Sequence, residues 1–479
     1  MKRVLALLLA LVILSVCAFC LVGNSVGSQS DKVIISEGLS YGSAEEAYGA
    51  KISYSADYQK HLFWDIEYTL GKEPLTKIDY DFSHIERKVA SQRRYSGFSM
   101  DLDIAYGYNL SKPLEQLSGI ERAYRELYEK TPMYETRSET IYLDDYYTYY
   151  PINIDVDLPF TLWGNTSHDR LSENYRRDEY EVLKKFKDFF KIPIPEKTDV
   201  IEIQISKDGN SIGIGSNPYL TYYVNSVSSY SSDKCFFSIN NRRNGTKGDS
   251  IEYADTSLIP GGYGIYSFEY ERVALFENEK SSITQYPSNY YTGIKEETLK
   301  MVYPLEKEAS VEYMAVSEKE NRLFVITEES GSSYFREIEL NSMTTLQKIK
   351  LFDGYYRQVW HNDGFFVIKW YDTLMLLAPN NKGLYEVKFT SEYQCAVNES
   401  FADIHSYAAM EFDGEKLIVV EQFYDQFYRT HQTCDFYIAV YGEKGLLYYG
   451  EYKNSLSTNN SYNKNCTSNG FSVAWEDSE

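Results

Sequence analysis

Three short stretches decide the fold: Leu323-Phe324-Val325-Ile326, Phe365-Phe366-Val367-Ile368 and Leu417-Ile418-Val419-Val420. The polar turns at 317–321, 361–364 and 413–416 precede them, and further strand-like segments follow each before the next copy. A continuous apolar run of four residues between turn signals is the pattern of a strand buried on both faces. Around the first copy, 311–316, 323–328, 334–340 and 346–352 read as four successive strands. The second copy offers 357–360, 365–370, 373–377 and 384–389, and the third 407–412, 417–422, 435–441 and 446–452. The copies are offset by 42 and 52 residues, the longer offset taking up an insertion around 394–406.

Four strands per roughly 40 to 50 residues is a blade period, so the stretch 311–452 resembles the general β-propeller pattern. Asp363-Gly364 and Asp413-Gly414 fall in the first hairpin of their units, but these three units lack the Gly-His and Trp-Asp marks of WD repeats. The resemblance implies a mainly β fold, a β-propeller-like repeat domain of about seven or eight four-stranded blades with a few inserted helices. Strand signals upstream agree: 61–70 and 75–82 flank the turn Gly71-Lys72-Glu73-Pro74, and 200–215 alternates apolar and polar residues about Asp208-Gly209. The spacing of Leu114, Leu117, Ile120, Tyr124 and Leu127 predicts an amphipathic helix, and a second is expected over 178–191. The tail 471–475 is expected to close the fold as a strand beside the first blade. The expected organisation is a signal peptide or signal anchor over 1–28, a polar spacer over 29–49, a β-rich part with helical insertions over 50–310, and three clear repeats with the tail over 311–479.

Composition bounds the partners. With 48 Lys and Arg against 70 Asp and Glu, the net charge of −22 repels phosphate backbones and argues against nucleic acid. The 47 tyrosines suit pleated, half-buried surfaces. Lys2 and Arg3 precede an uncharged apolar run from Val4 to Val22, the layout of an export signal and long enough to stay as a single transmembrane helix with the body facing outside. Cys17 and Cys20 follow bulky residues, Val16 and Phe19, unlike a lipoprotein processing site. A short basic N-terminus, one apolar span and a Tyr- and Asn-rich body resemble surface proteins of Gram-positive bacteria. Cys235, Cys395, Cys434 and Cys466 allow three disulfide pairings, of which Cys434 to Cys466 would tether the Asn- and Ser-rich tail.

The chemistry-bearing signals are sparse. Tyr142, Asp144 and Asp145, with Trp163 downstream, combine aromatic faces and acids as a ligand-binding groove for sugar would. Gly209-Asn210-Ser211-Ile212-Gly213 matches a hydrolase elbow, but on a hairpin turn rather than between a strand and a helix, so Ser211 reads as a turn residue. No two of the four cysteines outside the apolar run share a Cys-x-x-Cys spacing and no His-x-His or HExxH pattern occurs, so no metal site and no cofactor is expected. The expected function is an extracytoplasmic binding or scaffolding protein at the cell envelope, with a protein or cell-wall carbohydrate ligand. The alternative is a glycosidase or lyase using acids such as Asp144, Asp145 or Asp155.

Overall fold

The computed structural model describes residues 2–27, 33–58, 60–82, 97–104, 117, 119–159, 173–209, 211–244, 251–274, 290–354, 358–362, 364–392, 408–424, 432–458 and 466–475. The chain is mainly β, and its recurring element is the four-stranded antiparallel sheet, as in a β-propeller. Among the described residues five sheets have four strands or more, and smaller sheets of two and three strands accompany them. The chain divides into two compact units, 1–92 with 356–479 and 93–355.

In the first unit, Gln358–Asn362, Phe365–Trp370, Thr373–Pro379 and Tyr385–Glu392 form one sheet in chain order. Ala409–Phe412, Leu417–Tyr424, Gln432–Gly442 and Gly445–Asn454 form the next. The apolar runs quoted above occupy the second strand of each sheet. That position has a neighbour on both edges, and Phe366, Val367 and Ile368 are fully buried, as are Leu417 to Val420.

Both chain ends are exchanged between sheets. Strand Ile35–Gly42 adds to Gly445–Asn454 as a fifth strand, although all its side chains from Ser36 onward are exposed. This strand lies within the stretch read from sequence as a polar spacer. A strand held by main-chain pairing to a sheet edge needs no apolar alternation, so the sequence pattern carried no sign of it. Reciprocally, Cys466–Trp475 pairs with Ala50–Tyr58 and completes a sheet with Leu62–Thr69 and Leu75–Phe82, as expected of the tail. Aromatic packing locks the exchange. Tyr54 stacks on Phe471 at 4.5 Å between ring centroids, and Phe436 stacks on Tyr452 at 5.2 Å. The Asn454 amide, fully buried, donates to the Tyr54 hydroxyl at 2.6 Å. The Ile34 amide donates to Ser455 Oγ at 2.8 Å, and the Ser455 amide returns to the Ile34 carbonyl at 2.9 Å.

In the second unit, Ala309–Ser317, Arg322–Glu329, Ser332–Glu339 and Thr345–Asp353 form the first of the three expected repeats. Its core meets the sheet of Ser226–Tyr230, Lys234–Ile239, Gly264–Ala274 and Tyr290–Pro304 through Phe236, Ile265, Leu323 and Val325. Strand Ser226–Tyr230 is serine-rich for a structural reason. Ser226 and Ser228 accept the amides of Met100 and Phe98 at 2.8 and 2.9 Å, and Ser229 accepts that of Val316 at 3.0 Å. Its hydroxyls thus satisfy main-chain donors on strands either side. Both expected helices are present, as Ile120–Lys130 and Glu173–Phe189. The second inserts Phe186 beside Phe98 and Phe268, at 5.3 and 5.6 Å.

Helix Lys2–Gly27 covers the N-terminal apolar run, with side chains described over 9–23. Among the described residues, no helix is long and apolar enough to cross a membrane, so the expected transmembrane helix is not carried by the described part of this one. Cys434 is buried, and the Cys466 side chain lies outside the described residues, as does Cys395.

Two outcomes follow from this packing. Gly42 has φ +79°, and a Cβ there would sit 2.1 Å from the Leu447 carbonyl oxygen. Gly42→Ala is expected to cost more than about 1 kcal/mol in urea unfolding by prising the strand from its edge. Burial pushes the Tyr68 and Tyr313 phenols up to about 12, against an ordinary value of 10. The folded state holds these groups neutral, so their contribution is fully present below pH 10 and is lost as pH rises through about 12. A spectrophotometric tyrosine titration is expected to show a group of phenols that ionise above pH 10 and only together with loss of far-ultraviolet strand signal.

Candidate functional site

Strand Val200–Asp208 pairs on one side with Thr136–Tyr142 and on the other with Ser211–Tyr219. Strand alternation sends Ile141, Ile201, Ile203 and Ile205 inward, where they share a core with Ile120, Ala123, Tyr124 and Leu127 of helix Ile120–Lys130. The register then fixes the other face as four cross-strand rows. They are Thr136, Ser206 and Gly213; Ser138, Gln204 and Gly215; Thr140, Glu202 and Asn217; and Tyr142, Val200 and Tyr219. Side-chain bonds knit the rows: Thr136 Oγ1 donates to Ser206 Oγ at 2.8 Å, Gln204 Nε2 to Ser138 Oγ at 3.2 Å, and Asn217 Nδ2 to the Tyr219 hydroxyl at 2.7 Å. Tyr142 is 38% and Tyr219 55% exposed, so this face ends in two open phenol rings.

The sequence-predicted acids sit just beyond Tyr142, in the 3-10 turn Leu143–Asp145. Leu143 is buried, and its amide donates to the Asp199 carbonyl at 2.9 Å, which fixes the turn against the sheet. Lys197 then gathers the cluster. Its amide donates to Asp144 Oδ2 at 3.2 Å, and its ammonium hydrogen-bonds Asp145, lies 3.9 Å from Asp144 Oδ2, and sits 4.7 Å from the Tyr142 ring centroid. The hydrogen bond to Asp145, with the charges of Asp144 and Asp145 behind it, holds the Lys197 ammonium above its usual pKa. Tyr142, Asp144 and Asp145 are therefore brought together, but both carboxylates face one ammonium. Trp163 lies outside the described residues. Asp155 is on a different sheet, exposed on strand Ile152–Asp157. Burial, then the charges of Asp103 and Asp155, raise the pKa of Asp101 there. Ser211 Oγ donates to the Asp208 carbonyl at 3.4 Å, the turn role expected of it.

The anchor of the site is Asp199, fully buried. Its carboxylate accepts the Tyr150 hydroxyl, the Thr221 amide at 2.6 Å and Thr221 Oγ1 at 2.7 Å. Arg243 donates in turn to Thr221 Oγ1 at 2.8 Å. Sequence reasoning missed Lys197, Asp199, Tyr219 and the glycines of the edge strand. The available signal was the period of two, which places Thr136, Ser138, Thr140 and Tyr142 on one face.

Two open depressions lie elsewhere. A groove of about 530 Å³ crosses the sheet completed by the tail, lined by Ser53, Ser55, Asp65, Glu67, Lys77 and Asp79. Two of its acids are engaged, Asp65 by Ser55 Oγ at 2.5 Å and Glu67 by Lys51 and Lys77 at 2.6 and 3.0 Å. A second depression of about 440 Å³ lies in the other unit beside Asp233, Glu318, Asn321 and Asn341. The Ser232 amide bonds Glu318 and lowers its pKa. Among the described residues, no group of three or more His, Cys, Asp or Glu side chains is placed to hold a metal ion.

No protein-family model and no curated protein sequence matches the chain. Solved structures with which it aligns include a protein from Lactobacillus plantarum, at 11% identity over 51% of this chain and 76% of that one, with a TM-score of 0.21. They also include TolB from Acinetobacter baumannii, at 9% identity over 89% and 83%, with a TM-score of 0.22. The WD40 domain of SCAP from fission yeast aligns at 7% identity over 55% and 60%, with a TM-score of 0.19.

Removing the buried anchor tests how the site is positioned. Asp199→Ala leaves the Tyr150 hydroxyl and both Thr221 donors without their acceptor, and is expected to cost about 3 kcal/mol of stability. Chemical denaturation of the variant checks it.

Proposed function

We propose that the chain is an exported protein, held at the cell envelope by its N-terminal apolar segment, that works by binding through a rigid β scaffold rather than by catalysis. The observation that carries this reading is the surface of helix Lys2–Gly27. From Leu9 to Val22 its large apolar side chains are exposed, Phe19 by 85% and Leu21 by 71%, so among the described residues none covers them. An apolar surface on all sides of a helix is at home in lipid, and Lys2 and Arg3 before it are the flank an export signal carries. The exposed polar sheet face and the open grooves offer hydroxyls, amides and paired charges, groups that recognise a polar ligand. Asp144 and Asp145 share Lys197, which favours binding over glycosidic cleavage.

Protease added to intact cells expressing a C-terminally tagged chain is expected to degrade the tag. Deleting 4–22 is expected to protect the tag by leaving the body inside. Recovery of the undeleted chain from the cytoplasm, with its tag protected, overturns the proposal.

A further inference from the structure

We infer that the open face of the sheet Thr136–Tyr142, Val200–Asp208 and Ser211–Tyr219 docks a chain of neutral sugars, an inference that rests on the binding reading above. The decisive observation is a pair of glycines that the fold does not need. Gly213 and Gly215 lie in an edge strand, and neither has a positive φ. A Cβ on Gly213 would meet Ser206 Cβ at 3.5 Å, and one on Gly215 would meet Gln204 Cβ at 3.9 Å, both ordinary contacts. Gly42, by contrast, is forced by its φ and by a main-chain collision. Glycine within a strand weakens it, since it loses more freedom on folding and packs no side chain. What the two glycines create is a bare lane along the strand, beside Ser206 and Gln204.

The chemistry around that lane is hydroxyl and amide: Thr136, Ser138, Thr140, Gln204, Ser206 and Asn217. At one end Tyr142 and Tyr219 flank Val200; Tyr219 presents an exposed ring and Tyr142, with Lys197 over one face, a partly exposed one, and such rings suit the C–H faces of pyranose rings. Two strand spacings, about 10 Å, separate them across the sheet, at right angles to the lane. Charge points the same way. Glu202 is the one ionisable acid or base on the four rows, Lys197 meets the nearby Asp144 and Asp145, and the net charge of −22 disfavours anionic polymers.

The test uses the full chain with powdered chitin and powdered cellulose as probes, followed by calorimetry with chito- and cello-oligosaccharides. Retention on at least one polymer is expected. Gly215→Val, which fills the lane with a residue that strands favour, and Tyr219→Ala are each expected to weaken binding about tenfold or more without lowering the melting temperature. Tyr180→Ala, an exposed ring on helix Glu173–Phe189, is expected to leave binding unchanged. No retention on either polymer overturns the inference. Retention that survives both face substitutions also overturns it, because the polymer would then be held elsewhere on the chain. Surface display without retention sinks the docking face alone, whereas a cytoplasmic chain sinks the envelope reading.

Discussion

The structure depends on the reciprocal exchange of its end strands. A sheet leaves unpaired amides and carbonyls along each outer strand, and those groups are stable only when paired, covered or wetted. Here Ile35–Gly42 takes one edge of the sheet that ends at Asn454, and Cys466–Trp475 takes one edge of the sheet that begins at Ala50. The two pairings are coupled through one aromatic knot. Tyr54 touches Phe471, Phe436 touches Tyr54, Phe471 and Tyr452, and Asn454 binds the Tyr54 hydroxyl. Loosening either strand therefore disturbs the core of both sheets.

The abundance of tyrosine has the same root. Tyr448 and Tyr452 share a hydroxyl contact of 2.6 Å, and Tyr448 also donates to Glu37 at 3.0 Å. In the other unit Tyr222 donates to the Asn240 carbonyl and Tyr270 to the Ser231 carbonyl, each at 2.5 Å. A ring fills the space between packed sheets, and its hydroxyl closes a main-chain group that would otherwise be buried without a partner. Tyrosine does here what phenylalanine and a water would do together.

Much of the architecture was legible because it is written in side-chain periodicity. The runs at 323–326, 365–368 and 417–420 place the second strands, Asp208-Gly209 places a hairpin, and the stripe of Ile120, Tyr124 and Leu127 places a helix. What escaped was whatever rests on the main chain or on distant pairing. Strand Ile35–Gly42 has no apolar alternation to betray it. The cluster at Tyr142, Asp144 and Asp145 was visible, but its partner Lys197 is more than fifty residues away and belongs to no motif. The four rows of the polar face exist only once three strands are in register, so no single segment announces them.

The exchange of ends also sets the order in which the molecule can be made. Residues 93–355 emerge from the ribosome with every strand of their own sheets at hand, and can fold as they appear. The sheet begun at Ala50 must wait for Cys466, some four hundred residues later, and Ile35–Gly42 must wait for Gly445. Throughout that interval both early segments carry open edges, and bridging so long a loop costs about 5 kcal/mol in chain entropy. The pairing at Ala50–Tyr58 thus ties together segments far apart in the chain, so the sheet it belongs to is complete only when both are present.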